Sequence, residues 1–197
     1  MGKIIITGSG RAGTSFLVQL LTRLGEDTGF TPGDEPYSEK LRAGCEQYSI
    51  TNLLNGDANR EIITAAPRVL KSPDWALVLK DLLRYGWIEV DHVLIPFRDC
   101  EEAARSRLDV GLEWQCIITD DHDEKLADQA NIHALALGRT LEACWLFGIP
   151  HTVMAFPLLV QNGAYCYERL SRAFELDRKE FQNVFRELAR PEQVKWT

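Results

Sequence analysis

No stretch of this sequence is apolar enough to span a bilayer, and none is biased enough to stay unfolded. The opening run Ile4 to Thr7 stops at Gly8, far short of the about 20 residues of a membrane helix and too short for a secretory signal core. A cytoplasmic location is therefore expected. Positive charge is scarce: 22 Lys and Arg stand against 29 Asp and Glu, a net charge of −7. That balance argues against a broad basic footprint for nucleic acid or an anionic membrane, but not against a small cationic pocket. Cys45, Cys100, Cys116, Cys144 and Cys166 form an odd set with no C-x-x-C spacing, which reads as reduced thiols and not as a disulfide framework or zinc site. No repeat, linker or low-complexity tract divides the 197 residues, so one domain is expected, large enough to bury roughly 70% of its unfolded surface.

What is present is an alternation of elements. Lys3 to Thr7 is a short β-branched run, the pattern of a strand buried on both faces of a parallel sheet. Beyond the glycine-rich turn Gly8 to Gly13, Leu17, Leu20, Leu21 and Leu24 fall at helical spacing, with Gly25 as a stop signal. The Gly-, Pro- and acid-rich stretch Glu26 to Arg60 predicts loops and one helix over about Ser38 to Leu54. A second strand is expected within Ile62 to Leu70, broken by Pro67, and then a helix carrying Trp75, Leu79, Leu82 and Leu83, capped by Asp74 and closed by Gly86. His92 to Phe97 reads as a strand, Cys100 to Leu108 as a helix, Asp123 to Phe147 as a long helix ending at Gly148, and His151 to Phe156 as the last strand. Helices over Tyr165 to Phe174 and Arg178 to Leu188 close the chain. Strands separated by helices require crossover connections, so the expected fold is a three-layer α/β domain of P-loop type, its central mainly parallel sheet flanked by helices.

The turn Gly8-Ser9-Gly10-Arg11-Ala12-Gly13-Thr14-Ser15 lies between a strand and a helix, where backbone N–H groups and the helix N-terminus converge on an anion. It matches G-x-x-x-x-G-K-S/T in both glycines and in Ser15, but Thr14 replaces the lysine and the cation is Arg11. Ordinary nucleoside triphosphate hydrolysis is thereby disfavoured. Three glycines in six residues are entropically expensive unless the backbone must approach something closely. A second phosphate-binding candidate is Arg98, at the end of the run HVLIPF, with Ser106 eight residues on in the next helix. Such a pair can bracket one phosphate, the arginine bidentately and the serine through its hydroxyl.

The pattern strand, G-x-x-R/K-S/A-G-T-S/T, helix resembles the 5′-phosphosulfate loop of sulfotransferases, P-loop proteins that use 3′-phosphoadenosine-5′-phosphosulfate. Arg98 with Ser106 is similar to that family's clasp on the 3′-phosphate, and Leu70-Lys71-Ser72-Pro73-Asp74 is similar to its V/L-x-K-x-P stretch. The resemblance covers Gly2 to about Leu108. It implies that Gly8, Ser9, Gly10, Arg11, Ala12, Gly13, Thr14 and Ser15 hold the 5′ end of the cofactor and that Arg98 and Ser106 hold the other phosphate. It further implies catalytic roles for Arg11 on the leaving phosphate, for Lys71 on the bridging oxygen and for Glu35 as base, with Asp34 its competitor. No metal is implied. The acceptor would be a hydroxyl or amine on a small molecule or carbohydrate, and a homodimer is compatible.

Two family features are absent. The histidine that cytosolic members carry two residues beyond the lysine is Pro73 here, and the C-terminal R-K-G-x-x-G loop has no counterpart in Leu188 to Thr197. The alternatives are a P-loop small-molecule kinase using Mg-ATP and a non-catalytic nucleotide-binding relative. Outside these motifs, His133 reads as a core histidine and Asp120 to Glu124 as a solvated helix start. Trp114 reads as either acceptor pocket or core, and the loops Phe30 to Pro36 and Gly111 to His122 are the expected acceptor walls.

Overall fold

Ile4, Ile5 and Ile6 are all fully buried, and they divide by parity between two separate cores. Ile4 and Ile6 join one apolar cluster with Leu94, and Ile5 joins another with Val93 and Ile95, as the two-residue period of a strand dictates. In the computed structural model, which describes residues 1–8, 10–38, 43–46, 57–111 and 122–189, these residues form β1 (Lys3–Ile6). There follow α1 (Thr14–Arg23), β2 (Tyr37–Ser38), β3 (Ala43–Gly44), α2 (Asp57–Ala65), β4 (Val69–Lys71), α3 (Trp75–Arg84), β5 (Val90–Phe97), α4 (Cys100–Leu108), α5 (His122–Leu146), β6 (His151–Ala155), α6 (Leu158–Gln161), α7 (Gly163–Leu170) and α8 (Arg178–Leu188).

The central sheet has four strands in the order β4, β1, β5, β6, all parallel. Leu17, Leu20 and Leu21 of α1, with Phe181 and Phe185 of α8, cover one face. Trp75, Leu79 and Leu82 of α3, with Ala143 and Cys144 of α5, cover the other. This is the expected three-layer α/β arrangement. The chain steps from β1 to β4 on one side, then crosses to β5 on the other, so β1 and β5 flank a topological switch point. Ligands of open α/β sheets bind outside the strand carboxyl ends at such points. Gly8, Lys71 and Arg98 all follow or end strands at that edge.

The middle of the chain departs from expectation. Ile62 and Ile63 belong to α2, not to a strand: burial recurs at Ile63 and Ala66, with Thr64 and Ala65 exposed between them, and the strand itself is only Val69–Lys71, beyond Pro67. Where a helix over Ser38 to Leu54 was expected, Tyr37–Ser38 and Ala43–Gly44 pair as an antiparallel hairpin that runs on through Cys45 and Glu46, and residues 39–42 and 47–54 of that span lie outside the described residues. The segment from Tyr165 to Phe174 stays helical only to Leu170. Asp74 occupies the N-cap position of α3 without a side-chain capping hydrogen bond, whereas Asp99 caps α4 by accepting from the N–H groups of Glu101 and Glu102, both at 3.0 Å. Among the described residues no helix is long and apolar enough to cross a membrane.

Candidate active site

The turn after β1 is shaped by what presses on it. A Cβ on Gly8 would lie 2.6 Å from the Pro96 carbonyl oxygen of β5, and one on Gly10 would lie 2.9 Å from Arg107 Nη1, so backbone and a guanidinium fill the space that side chains would need. Gly13 holds the N-cap position of α1 at φ 85° and brings no capping side chain. The N-terminal amides of α1 therefore face the turn without a side-chain oxygen from that position. Ala12, Thr14 and Ser15 are buried; Ser9 lies outside the described residues.

Arg11 sits at φ 53°, and among the described residues the other non-glycine with positive φ is Cys45, at 59°. Sparsely populated backbone conformations of this kind persist where the surrounding structure over-determines them, and they cluster at functional sites. Both strained residues border the same place. Arg11 Nε donates to Ser106 Oγ at 3.2 Å across 95 residues of sequence, which joins the glycine-rich turn directly to α4. On that helix Ser106 stands one turn beyond Glu102, whose Oε2 accepts from Arg98 Nε at 3.0 Å. The Arg98 guanidinium is buried and lies 5.2 Å from the Phe156 ring centroid. Arg98, Glu102, Ser106 and Arg11 thus line one continuous edge.

Lys71 pairs in register with Ile6 and is 3% exposed, so its ammonium is directed inward. Its Nζ donates to Gly44 O at 3.0 Å and to Glu46 Oε1 at 2.8 Å, while Ser15 Oγ donates to the same Gly44 carbonyl at 2.9 Å. The β2–β3 hairpin is thereby fastened to both α1 and β4. Cys45 between them has its thiol pushed up to about 11, chiefly by burial; Lys71 opposes that shift, and Glu35 and Glu46 reinforce it. Glu35 therefore acts within this group, and the amide of Cys45 donates to Pro36 O at 2.8 Å. Glu35 Oε2 accepts from Gly33 N at 3.0 Å, while Oε1 is buried and accepts no hydrogen bond among the described residues. Asp34 is exposed at the loop tip.

Three members of the group carry no pattern that sequence reasoning could use. Glu46 comes to Lys71 through the hairpin. Arg107 is buried against Gly10, where burial lowers its basicity and Glu46 and Asp74 oppose that effect. His133 of α5, expected as a core histidine, is indeed 1% exposed. It also approaches the turn, its Cε1 lying 4.0 Å from a Cβ at Gly10. Burial, reinforced by the Arg107 charge, lowers its pKa to about 4, so at neutral pH it adds no charge. Trp114, Asp120 and most of the expected loop from Gly111 to His122 lie outside the described residues. Among those described, no three His, Cys, Asp or Glu side chains converge as metal ligands, and Cys45, Cys100, Cys144 and Cys166 are free thiols. No family model matches the chain, and no curated protein matches it.

Proposed function

We propose that the protein transfers a sulfuryl group from 3′-phosphoadenosine-5′-phosphosulfate to a hydroxyl or amine of a small molecule or carbohydrate. The observation that carries this is the hydrogen bond from Arg11 to Ser106. It makes neighbours of the two sequence motifs that the proposal assigns to the two phosphate ends of one nucleotide, at the carboxyl edge of the sheet. The donor set fits a bisphosphorylated anion. Backbone amides from Gly8 to Ser15, with Thr14 and Ser15, would hold the 5′ end, and Arg98 and Ser106 would hold the 3′-phosphate.

The cofactor supplies an activated sulfuryl group on a phosphate leaving group. The Arg11 guanidinium and the turn amides would stabilise negative charge on the phosphate end of that group. Lys71, directed inward from the end of β4 and paired with Glu46, would supply a proton donor and positive charge to the same leaving group. The buried Glu35 Oε1 takes the acceptor proton, because an incoming hydroxyl there supplies the hydrogen bond that this oxygen otherwise lacks among the described residues.

Calorimetric titration with 3′-phosphoadenosine 5′-phosphate, set against ADP and Mg-ATP, tests the proposal. Binding of the bisphosphate at least tenfold tighter than ADP, with no magnesium requirement, is expected. Stabilisation by Mg-ATP alone would instead identify a kinase. Tight bisphosphate binding with no transfer to a broad acceptor panel would identify a non-catalytic binder.

A further inference from the structure

Ser15 and Lys71, two of the donors assigned to the phosphosulfate, are already engaged by Gly44 and Glu46 of the protein. The Gly44 carbonyl accepts from Ser15 Oγ and Lys71 Nζ, and the Glu46 carboxylate ion-pairs with Lys71 at 2.8 Å. Cys45, between them, is held in the left-handed region at φ 59°, a conformation that disfavours a non-glycine residue and persists only where contacts enforce it. The two ends of the ion pair differ sharply in exposure: the Lys71 side chain is 3% and that of Glu46 47% exposed. A buried ammonium left without a counter-charge is strongly unfavourable, so Lys71 needs an anion at all times. Glu46 can rotate into water with little desolvation to reverse.

Resting on the assignment of Gly8 to Ser15 and Lys71 as an anion cradle, we propose that Glu46 is a built-in competitor for it. Its carboxylate neutralises Lys71 until the cofactor's anion arrives, is displaced by that anion, and releases the Gly44–Glu46 segment from the cradle as it leaves. Binding is then an exchange of one anion for another. The affinity of any ligand that reaches Lys71 is lowered by the strength of the internal pair.

The test is calorimetric titration of the full chain with inorganic pyrophosphate and, separately, 3′-phosphoadenosine 5′-phosphate, using wild type, Glu46→Gln, Lys71→Met and the double variant. Glu46→Gln is expected to tighten both ligands by about 3- to 10-fold, and in the Lys71→Met background the same change should alter affinity by less than about twofold. Unchanged or weaker pyrophosphate binding by a Glu46→Gln protein with wild-type melting behaviour overturns the proposal. So does a tightening that persists in full without Lys71, since that reports only the general field of a removed charge. Glu46→Asp, which keeps a carboxylate but shortens its reach to Lys71, repeats the measurement should the glutamine variant melt early, and unchanged or weaker pyrophosphate binding by it overturns the proposal as well. Tightened pyrophosphate binding without preference for the bisphosphate nucleotide over ADP leaves the exchange standing and removes the sulfuryl-transfer function.

Discussion

Replacing Lys71 with methionine separates a cation kept for a ligand from one kept for the fold. Methionine preserves the length and apolar stem of a side chain that is 3% exposed and deletes its hydrogen bonds to Gly44 O and Glu46 Oε1. The Gly44 carbonyl retains its bond from Ser15 Oγ, and the half-exposed Glu46 relaxes into solvent, so neither of these two groups is left buried and unsatisfied. The expected destabilisation is below about 1.5 kcal/mol, which for a chain of this size lowers Tm by no more than about 6 °C. Anion binding loses a charge-assisted hydrogen bond of about 1.5 to 3 kcal/mol, weakening 3′-phosphoadenosine 5′-phosphate by about 10- to 150-fold. Loss of the competing Glu46 pair offsets part of this and places the result in the lower half of that range. Calorimetric titration paired with thermal denaturation reads both quantities. A Tm fall beyond about 10 °C with affinity held within twofold would make Lys71 a structural cation and refute its place in the cradle.

Arg98→Ala removes the guanidinium assigned to the 3′-phosphate and should weaken 3′-phosphoadenosine 5′-phosphate by about 2 to 4 kcal/mol. Adenosine 5′-phosphosulfate, which lacks that phosphate, should bind the variant as it binds wild type, and equal losses for the two nucleotides would contradict the assignment. Gly8→Ala places a Cβ 2.6 Å from the Pro96 carbonyl, backbone that cannot swing aside, so urea denaturation should show a loss of about 1 to 3 kcal/mol. A neutral result there would mean that the turn can move off β5. His133 has its folded pKa lowered from 6.5 to about 4, so the unfolded chain takes up its proton first and stability falls as pH drops through that window, by about 3 kcal/mol between pH 7 and pH 4. Urea denaturation of His133→Gln should show a correspondingly shallower acid slope, and an unchanged slope would assign the acid sensitivity to other groups.

The readable parts of this chain are those whose pattern is set locally. Ile4 to Ile6 had to be continuously apolar because both faces of a central parallel strand are covered, and Gly8 to Gly13 had to be glycine-rich because Pro96 and Arg107 press against the turn. The helix from Cys100 carries its own start signal in Asp99, which caps it. Ile62 and Ile63 fit strand and helix alike as a β-branched pair preceding Pro67, and only the burial of Ile63 and Ala66, three residues apart with exposed residues between, reveals the helical period. The strand that follows is three residues long and ends in a buried lysine, which breaks the apolar signature by which such strands are recognised. The hairpin offered no alternation at all, since each of its strands is two residues long.

The same distinction governs the site. Local motifs single out Arg11, Lys71 and the pair Arg98 and Ser106, but the contact between Arg11 and Ser106 joins positions 95 apart, and no local pattern encodes a pair at that separation. The overall charge of −7 concealed the site for a related reason. The cations at this edge are matched by acids inside the fold: Lys71 by Glu46, Arg98 by Glu102, and Arg107 by the fields of Glu46 and Asp74. Buried charges of one sign cannot be assembled without such partners. Under the proposed anion site, a ligand phosphate would therefore compete with these carboxylates for the same nitrogen atoms.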